Sequence, residues 1–189
     1  GMVSKSLAEY VVTETDVPKN PKTAGLNPNY TWGKSTMAAF ESKMNEISNP
    51  DYVNRIFPSL GTRQWGPFIS RLKSADPDII FTSTWGSDLT TFLEQAKSAG
   101  LIEDTKIAST SYGMGIANQL QEDAIGGVFN NGQGYWYSLD NKINNEFREE
   151  YLKRFGKIPP ARAGGNYTAI QIIAEAANRA GTVDETDEI

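Results

Sequence analysis

Residues 78–100 read DIIFTSTWGSDLTTFLEQAKSAG, and this stretch decides the fold class. Its first part, 78–85, is apolar and rich in β-branched residues, which is typical of a buried strand. A helix follows, because apolar side chains recur at helical spacing from Leu89 to Ala96 and Gly100 is placed to end it. A strand that leads at once into a helix is the repeating unit of a parallel sheet with crossover helices.

The same alternation extends over most of the chain. Short apolar runs predict strands over 22–27, 54–58, 78–85, 106–111 and 126–130. Helical spacing predicts helices over 6–13, 33–47, 65–72, 87–99 and 116–122. Together these elements predict an α/β fold with a doubly wound parallel sheet of about five strands.

The pattern changes after residue 130. The glycine-interrupted segment Gly132-Gln133-Gly134 leads into two helices, 143–155 and 165–180, with no convincing strand between them. Each helix carries an apolar stripe, and two helices with such stripes need a sheet to lie on. We therefore expect one α/β domain at 3–134, and at 135–189 a crossing and the helical part of an incomplete second lobe.

Composition excludes several classes of function. The 189 residues include 39% hydrophobic and 22% charged residues, which is typical of a soluble globular protein, and no apolar run reaches the roughly 18 residues of a membrane span. The net charge of −5 argues against a nucleic-acid partner. The chain has no Cys and no His, so it has no disulfide, no thiolate zinc site and no imidazole base.

A cofactor is not expected either. Gly132-Gln133-Gly134 lacks the third glycine and the helix N-terminus that a dinucleotide-binding loop needs. We find no constellation of side chains with the spacing of a catalytic site. The sequence therefore predicts a protein that is not an enzyme and carries no cofactor and no metal.

The candidate binding site lies where strands end. In an open α/β sheet, ligands bind outside the carboxyl ends of the strands. Three neighbouring strands lead into 27–33, 83–88 and 109–113, and each segment holds an aromatic residue, hydroxyl groups and a glycine. Flat apolar area with a few directional polar groups is how small-molecule pockets are lined. The candidate ligand-binding residues are Tyr30, Trp32, Thr84, Trp85, Asp88, Ser111 and Tyr112.

Each of these residues also has a structural interpretation. Trp32 or Trp85, taken singly, could pack in a core. Ser87 and Asp88 could satisfy the free N–H groups at the start of a helix. The recurrence of the pattern at one edge of the sheet is what favours a binding site.

Several segments resemble a known family. These are residues 22–33 (KTAGLNPNYTWG), 74–81 (SADPDIIF) and 85–88 (WGSD), followed by Phe155-Gly156 and Tyr167. They are similar to the type I periplasmic solute-binding proteins of branched-chain amino acid ABC transporters, the Leu/Ile/Val-binding proteins. The resemblance covers almost the whole chain in the correct order. It implies two Rossmann-like lobes that close on a solute.

The resemblance also assigns the segments of the chain. It implies that 3–134 form most of the C-terminal lobe and that 135–189 return to the N-terminal lobe, with Gly132 and Gly134 in the hinge. Family members are about twice as long, so we expect that this chain is truncated at both ends. The Ser/Thr loop that grips the ligand carboxylate in family members is absent, and the chain alone should bind poorly.

By the same resemblance, Trp32 and Trp85 match the aromatic residues that pack on the ligand after the first and third strands of this lobe. The acidic residue that neutralises an amino acid's ammonium group falls near Ser111, which is not acidic. Burying an ammonium without a counter-charge costs several kcal/mol. Either Asp88 takes that role, or the solute is an aromatic acid, an amide or another small organic acid.

The expected function is that of the extracytoplasmic solute-binding component of an ABC importer. It would bind an amino acid or a similar small organic acid or amide between two lobes. Its expected partners are the small-molecule solute and ABC permease subunits, with no nucleic acid and no membrane insertion, and its expected location is periplasmic or extracellular. A homodimer through faces left open by truncation is also compatible with the sequence. The alternatives are a ligand-sensing regulator or receptor domain of the same fold, and an enzyme that uses carboxylates only.

Overall fold

The computed structural model describes residues 1–113, 116, 120, 128–130, 140–157, 159–160 and 163–183. Three predictions lie wholly or partly outside these residues: the hinge glycines Gly132 and Gly134, most of the helix expected over 116–122, and the start, 126–127, of the fifth predicted strand. Ile116 and Leu120, which belong to that segment and are described, are both helical.

Helices and strands alternate in the first part of the chain, as the hydrophobic pattern predicted. In chain order the elements are α1 Met2–Thr13, β1 Lys22–Leu26, α2 Thr31–Ile47, β2 Asp51–Ile56, α3 Gly66–Ala75, β3 Ile79–Thr82, α4 Gly86–Ser98, β4 Lys106–Ser109, β5 Val128–Asn130, α5 Lys142–Phe155 and α6 Ala163–Ala180.

The second strand begins and ends earlier than the sequence predicted. β2 covers 51–56 instead of 54–58, because the N–H of Asp51 donates to the carbonyl of Pro21 at 2.9 Å and so starts the pairing with β1. Pro58 has no N–H to continue a strand, and β2 ends before it at Ile56.

The third strand is also shorter than predicted. β3 ends at Thr82, not at Trp85. The reason is that the N–H of Ser83 donates to Asn27 Oδ1 at 2.8 Å and leaves the backbone ladder. Trp85 is instead the N-cap of α4.

All described strands run parallel, in the order β2-β1-β3-β4-β5. The chain adds β2 on one side of β1 and then returns to add β3 on the other side. The connections therefore diverge between β1 and β3. This doubly wound parallel sheet confirms the predicted fold class, and the adjacency of β1, β3 and β4 was also predicted correctly.

The sheet is covered on both faces. On one face α1 and α2 pack on the strands, and Phe40 stacks on Phe81 with ring centroids 4.2 Å apart. On the other face lie α3 and α4, where Trp65 meets Phe92 edge-on at 5.4 Å. Ile80 and Phe81, successive residues of β3, are both fully buried and belong to opposite faces. The core thus holds the strand ends in fixed positions.

The chain divides into two compact units, Gly1–Asn131 and Gly132–Ile189. In the second unit, α5 begins at the N-cap Asn141, whose Oδ1 accepts the N–H of Asn144 at 3.0 Å, and Phe147 of α5 stacks on Tyr167 of α6 at 4.8 Å. Neither helix has a fully buried residue. Among the helices that the structure describes, none is both long and apolar enough to cross a bilayer.

Candidate functional site

The candidate site is the surface at which β1, β2, β3 and β4 end. We call it the carboxyl edge; it comprises residues 27–34, 57–65, 83–88 and 110–113. The loops after β1 and β3 are short, with α2 starting at Thr31 and α4 at Gly86. Because β1 and β3 are neighbours, these two loops lie side by side at the divergence of the connections.

A buried polar network ties the two loops together. Asn27 is fully buried, and its Oδ1 accepts two hydrogen bonds from Ser83, from the N–H at 2.8 Å and from Oγ at 2.7 Å. Ser83 Oγ in turn lies 2.8 Å from Thr36 Oγ1 on α2. Polar groups that satisfy one another in a dry interior make a stiff connection. The network therefore links β1, β3 and α2 directly beneath the carboxyl edge.

A close backbone approach shapes the loop after β1. A Cβ atom built on Gly33 would lie 2.0 Å from the carbonyl oxygen of Pro28. That oxygen also accepts the N–H of Tyr30 at 2.8 Å. Only glycine lets the first turn of α2 approach this loop so closely. Gly33 thereby helps to set the position of Tyr30.

Two of the predicted site residues meet at the edge. Trp85 Nε1 donates to the Tyr30 hydroxyl across 3.4 Å, a long hydrogen bond that joins the loops after β1 and β3. Tyr30 is 36% exposed and Trp85 53% exposed. Trp32, in the first turn of α2, is 43% exposed. Neither tryptophan is a core residue, so the packing interpretation of Trp32 and Trp85 is wrong.

The other predicted residues of the β3 and β4 ends lie deeper. Thr84 is only 1% exposed, and its hydroxyl hydrogen-bonds with that of Thr82. Ser111 and Tyr112 are half-buried, and their N–H groups donate to Ser109 Oγ at 3.2 and 3.1 Å. Thr84 thus supports the edge from below, while Ser111 and Tyr112 are held at the end of β4.

Asp88 is engaged within the protein. It is half-buried in the first turn of α4, and its Oδ2 accepts the N–H of Gly61, in the loop between β2 and α3, at 2.9 Å. Two further side chains of α4 hold the same loop: Thr91 Oγ1 accepts Trp65 Nε1 at 3.0 Å, and Gln95 Oε1 accepts the N–H of Trp65 at 2.8 Å.

Sequence reasoning missed Asn27, Ser83, Thr91 and Gln95 as residues that shape the site. Their positions in the sequence were the available signal. Asn27 and Ser83 are the first residues after β1 and β3. Thr91 and Gln95 follow Asp88 at i+3 and i+7, on one face of α4.

Charge at the carboxyl edge is mainly positive. The edge contains two cationic residues, Lys34 and Arg63, and one acidic residue, Asp88 in the first turn of α4. The N-caps Tyr30 and Trp85 make no side-chain capping bond, so the positive ends of α2 and α4 are not neutralised from that position. In the part of the chain that the structure describes, no three acidic side chains are grouped closely enough to hold a metal ion.

The second unit has a groove of its own. It has a volume of about 530 Å³ and lies on α5 and α6. Its lining combines aromatic rings with an ion pair between Glu150 and Arg154, which are 2.7 Å apart. Glu150 also lies 3.8 Å from Lys153, so this face of α5 is an exposed, salt-bridged one.

A family model described as periplasmic binding protein matches residues 2–189. A curated relative, Leu/Ile/Val-binding protein homolog 4 of Brucella melitensis, is 22% identical over 168 residues. The alignment covers 86% of this chain and 39% of the relative.

Solved structures share the fold. A leucine-binding protein from Thermotoga maritima matches 96% of this chain with a TM-score of 0.81 at 18% identity. A solute-binding protein of an ABC transporter from Rhodopseudomonas palustris, in complex with benzoate, matches 99% with a TM-score of 0.77 at 15% identity. This chain spans 50% and 49% of those two chains, respectively.

Proposed function

Because this chain belongs to the periplasmic binding protein family, we propose that it forms part of the extracytoplasmic solute-binding component of an ABC importer. The solute is an amino acid or a similar small organic acid or amide. The protein acts outside the cytoplasm, in the periplasm or at the cell surface, and it binds without chemical conversion. The observation that carries the proposal is the meeting of Tyr30 and Trp85 at the divergence of the strand connections.

The described chemistry supports a solute-binding role. Tyr30, Trp32 and Trp85 offer exposed rings, and large exposed aromatic groups are typical of ligand contacts. Ser111 and Tyr112 supply polar groups at the neighbouring strand end. The network of Asn27, Ser83 and Thr36 keeps the loops in place before the solute arrives, which lowers the entropy that binding costs.

The relatives also support a small carboxylate as the solute. Of the two solved neighbours described above, the one from Thermotoga maritima is named a leucine-binding protein, and the one from Rhodopseudomonas palustris is in complex with benzoate. Both compounds have a carboxylate, and only leucine has an ammonium group. The shared chemistry therefore favours a small organic acid, with or without an amino group.

Binding in this proposal requires two lobes. Pockets bury most of the surface of a small ligand, whereas one edge of a sheet covers a single side of it. We assign 3–134 to one lobe and 135–189 to the crossing and to helices of the other, with Gly132 and Gly134 in the hinge. Closure is a shift between open and closed populations that follows from the extra contacts of the closed form. Permease subunits would recognise that closed form.

The experiment measures solute affinity by calorimetry on the intact protein that carries this sequence. The solute is first identified by native mass spectrometry of protein purified without refolding. We expect Trp85→Ala to weaken binding more than tenfold, which corresponds to about 1.4 kcal/mol. Tyr10→Ala, at an aromatic residue of α1 that is 48% exposed, is the matched control and should leave affinity unchanged. Equal affinity in the two variants would remove the carboxyl edge as the binding site.

A further inference from the structure

The two candidate solute classes are amino acids and small organic acids without an amino group. They differ in whether the site must accommodate an ammonium group. A solute with a free amino group is a cation at that end, and enclosing it requires a carboxylate or several good acceptors. Among the residues of the carboxyl edge, Asp88 is the one acidic residue. It belongs to the first turn of α4, and the loops themselves contain no acidic residue. The solute class therefore depends on what Asp88 is doing.

Asp88 works as a loop anchor. Its Oδ2 holds the N–H of Gly61 at 2.9 Å, and its place in the first turn of α4 sets its negative charge against the positive end of that helix. Thr91 and Gln95 continue the same row of α4 and hold the same loop through Trp65. The carboxylate thus belongs to a set of side chains that fixes the β2–α3 loop on α4.

The remaining charges at the edge favour an anion. Lys34 and Arg63 are exposed, and within the described residues neither forms an ion pair. A solute cation at this edge would meet these two like charges. Aromatic faces do attract cations, but the interaction is weak at exposed sites and is opposed here by Lys34 and Arg63.

The exposed rings set the shape of the solute. Tyr30 and Trp85 form a joined pair, and Trp32 lies two residues from Tyr30. Aromatic groups pack on other rings in offset or edge-on arrangements, and this adds to the burial of area. A flat ring gains this contribution, and a saturated ring of the same size does not.

Resting on the proposed function, we infer that the site selects a carboxylate that carries an aromatic ring and no ammonium group. Asp88 is a positioning residue in this assignment, and it makes no contact with the solute. Selectivity against an α-amino acid comes from the like charges of Lys34 and Arg63 and from the engagement of Asp88 with the N–H of Gly61. The selectivity for a ring comes from Tyr30, Trp32 and Trp85.

Matched pairs of compounds test the inference on the intact protein. Phenylacetate and 3-phenylpropionate are compared with phenylglycine and phenylalanine, which differ from them only by the ammonium group. Cyclohexylacetate and 3-cyclohexylpropionate replace the flat ring by a saturated one. The aliphatic pair is 4-methylpentanoate and leucine, and choline tests a cation on the aromatic rings. Calorimetry or tryptophan fluorescence gives each affinity.

We expect at least one phenyl carboxylate to bind tenfold or more tightly than its amino counterpart, and threefold or more tightly than its cyclohexyl counterpart. An amino acid that binds as tightly as its des-amino analogue would overturn the inference and leave the proposed function standing. Tighter binding of choline than of the phenyl carboxylates would also overturn it. If no compound of the series binds, the inference fails, and the proposed function is then decided by the solute that native mass spectrometry identifies.

Variants of Asp88 separate its two roles. Asp88→Asn keeps an oxygen that can accept from Gly61 and removes the charge. We expect it to bind the preferred phenyl carboxylate about threefold more tightly at low salt, because a like charge is gone. Glu94→Gln removes an exposed charge farther along α4 and is the control, with no expected change. If Asp88 paired with an ammonium group, Asp88→Asn would weaken phenylalanine binding more than tenfold, and this outcome would also overturn the inference.

Discussion

Replacing Gly33 by alanine should destabilise the protein and displace Tyr30. The new Cβ would lie 2.0 Å from the Pro28 carbonyl oxygen and 2.9 Å from the Pro28 carbon and nitrogen. All three are backbone atoms, so they cannot move aside as a flexible side chain would. The loop after β1 must withdraw by more than 1 Å to restore ordinary contact.

The magnitude follows from two opposing effects. Overpacking of a well-packed region costs about 1–3 kcal/mol, and the present overlap is with backbone, which places it near the upper end. Alanine regains up to about 1 kcal/mol over glycine in a helix. We therefore expect Gly33→Ala to lower the free energy of unfolding by about 2 kcal/mol. Solute affinity should fall as well, since Tyr30 moves with the loop.

Gly66→Ala is the matched control. Gly66 is the first residue of α3, and nothing lies within 4 Å of a Cβ built there. Alanine should be neutral at this position or should stabilise the protein by up to about 1 kcal/mol. Urea unfolding, followed by tryptophan fluorescence, measures both variants. If Gly33→Ala proves as stable as Gly66→Ala, the close approach of α2 to the Pro28 carbonyl is refuted.

Two further predictions concern buried or half-buried hydroxyl groups. Ser83→Ala should lower the free energy of unfolding by about 1–3 kcal/mol, because Asn27 Oδ1 loses one of its two donors from Ser83. The control is Ser87→Ala, at an exposed hydroxyl of α4, which should change the free energy of unfolding little. Equal effects of the two substitutions in urea unfolding would contradict the network. Burial, reinforced by the Glu41 charge, raises the pKa of Tyr52 from 10.0 to about 12. Its contribution to stability is therefore complete below pH 10 and lost as the pH rises towards 12. Tyr52→Phe should show a smaller decline in unfolding free energy between pH 9 and 12 than the wild-type protein, and an identical decline would refute the assignment.

The fold could be predicted from the chain because its signals are local. Apolar runs such as Ile79–Phe81 and the spacing from Leu89 to Ala96 reflect the side-chain periods of a strand and a helix, which depend only on neighbouring residues. The strand ends were less predictable. Where β3 stops depends on Asn27, which lies 56 residues from Ser83 in sequence.

The role of Asp88 at the candidate site could not be predicted either, because it also depends on a residue distant in sequence. Its sequence neighbours allowed either a ligand carboxylate or a helix-terminal group. Gly61, 27 residues away, supplies the N–H that engages it. Such a partner is brought close only by the order of strands in the sheet, so no local pattern could have named it.

The sequence by itself determined the class of fold, the edge of the sheet at which to look, and the aromatic residues that stand there. These follow from periodicity and from the rule that parallel strands place their carboxyl ends together. Tertiary structure alone decided that Tyr30 meets Trp85, that Asn27 holds Ser83, and that Asp88 anchors a loop. The physical reason is that hydrogen bonds act over about 3 Å, and only the packed sheet brings residues so distant in sequence within that range.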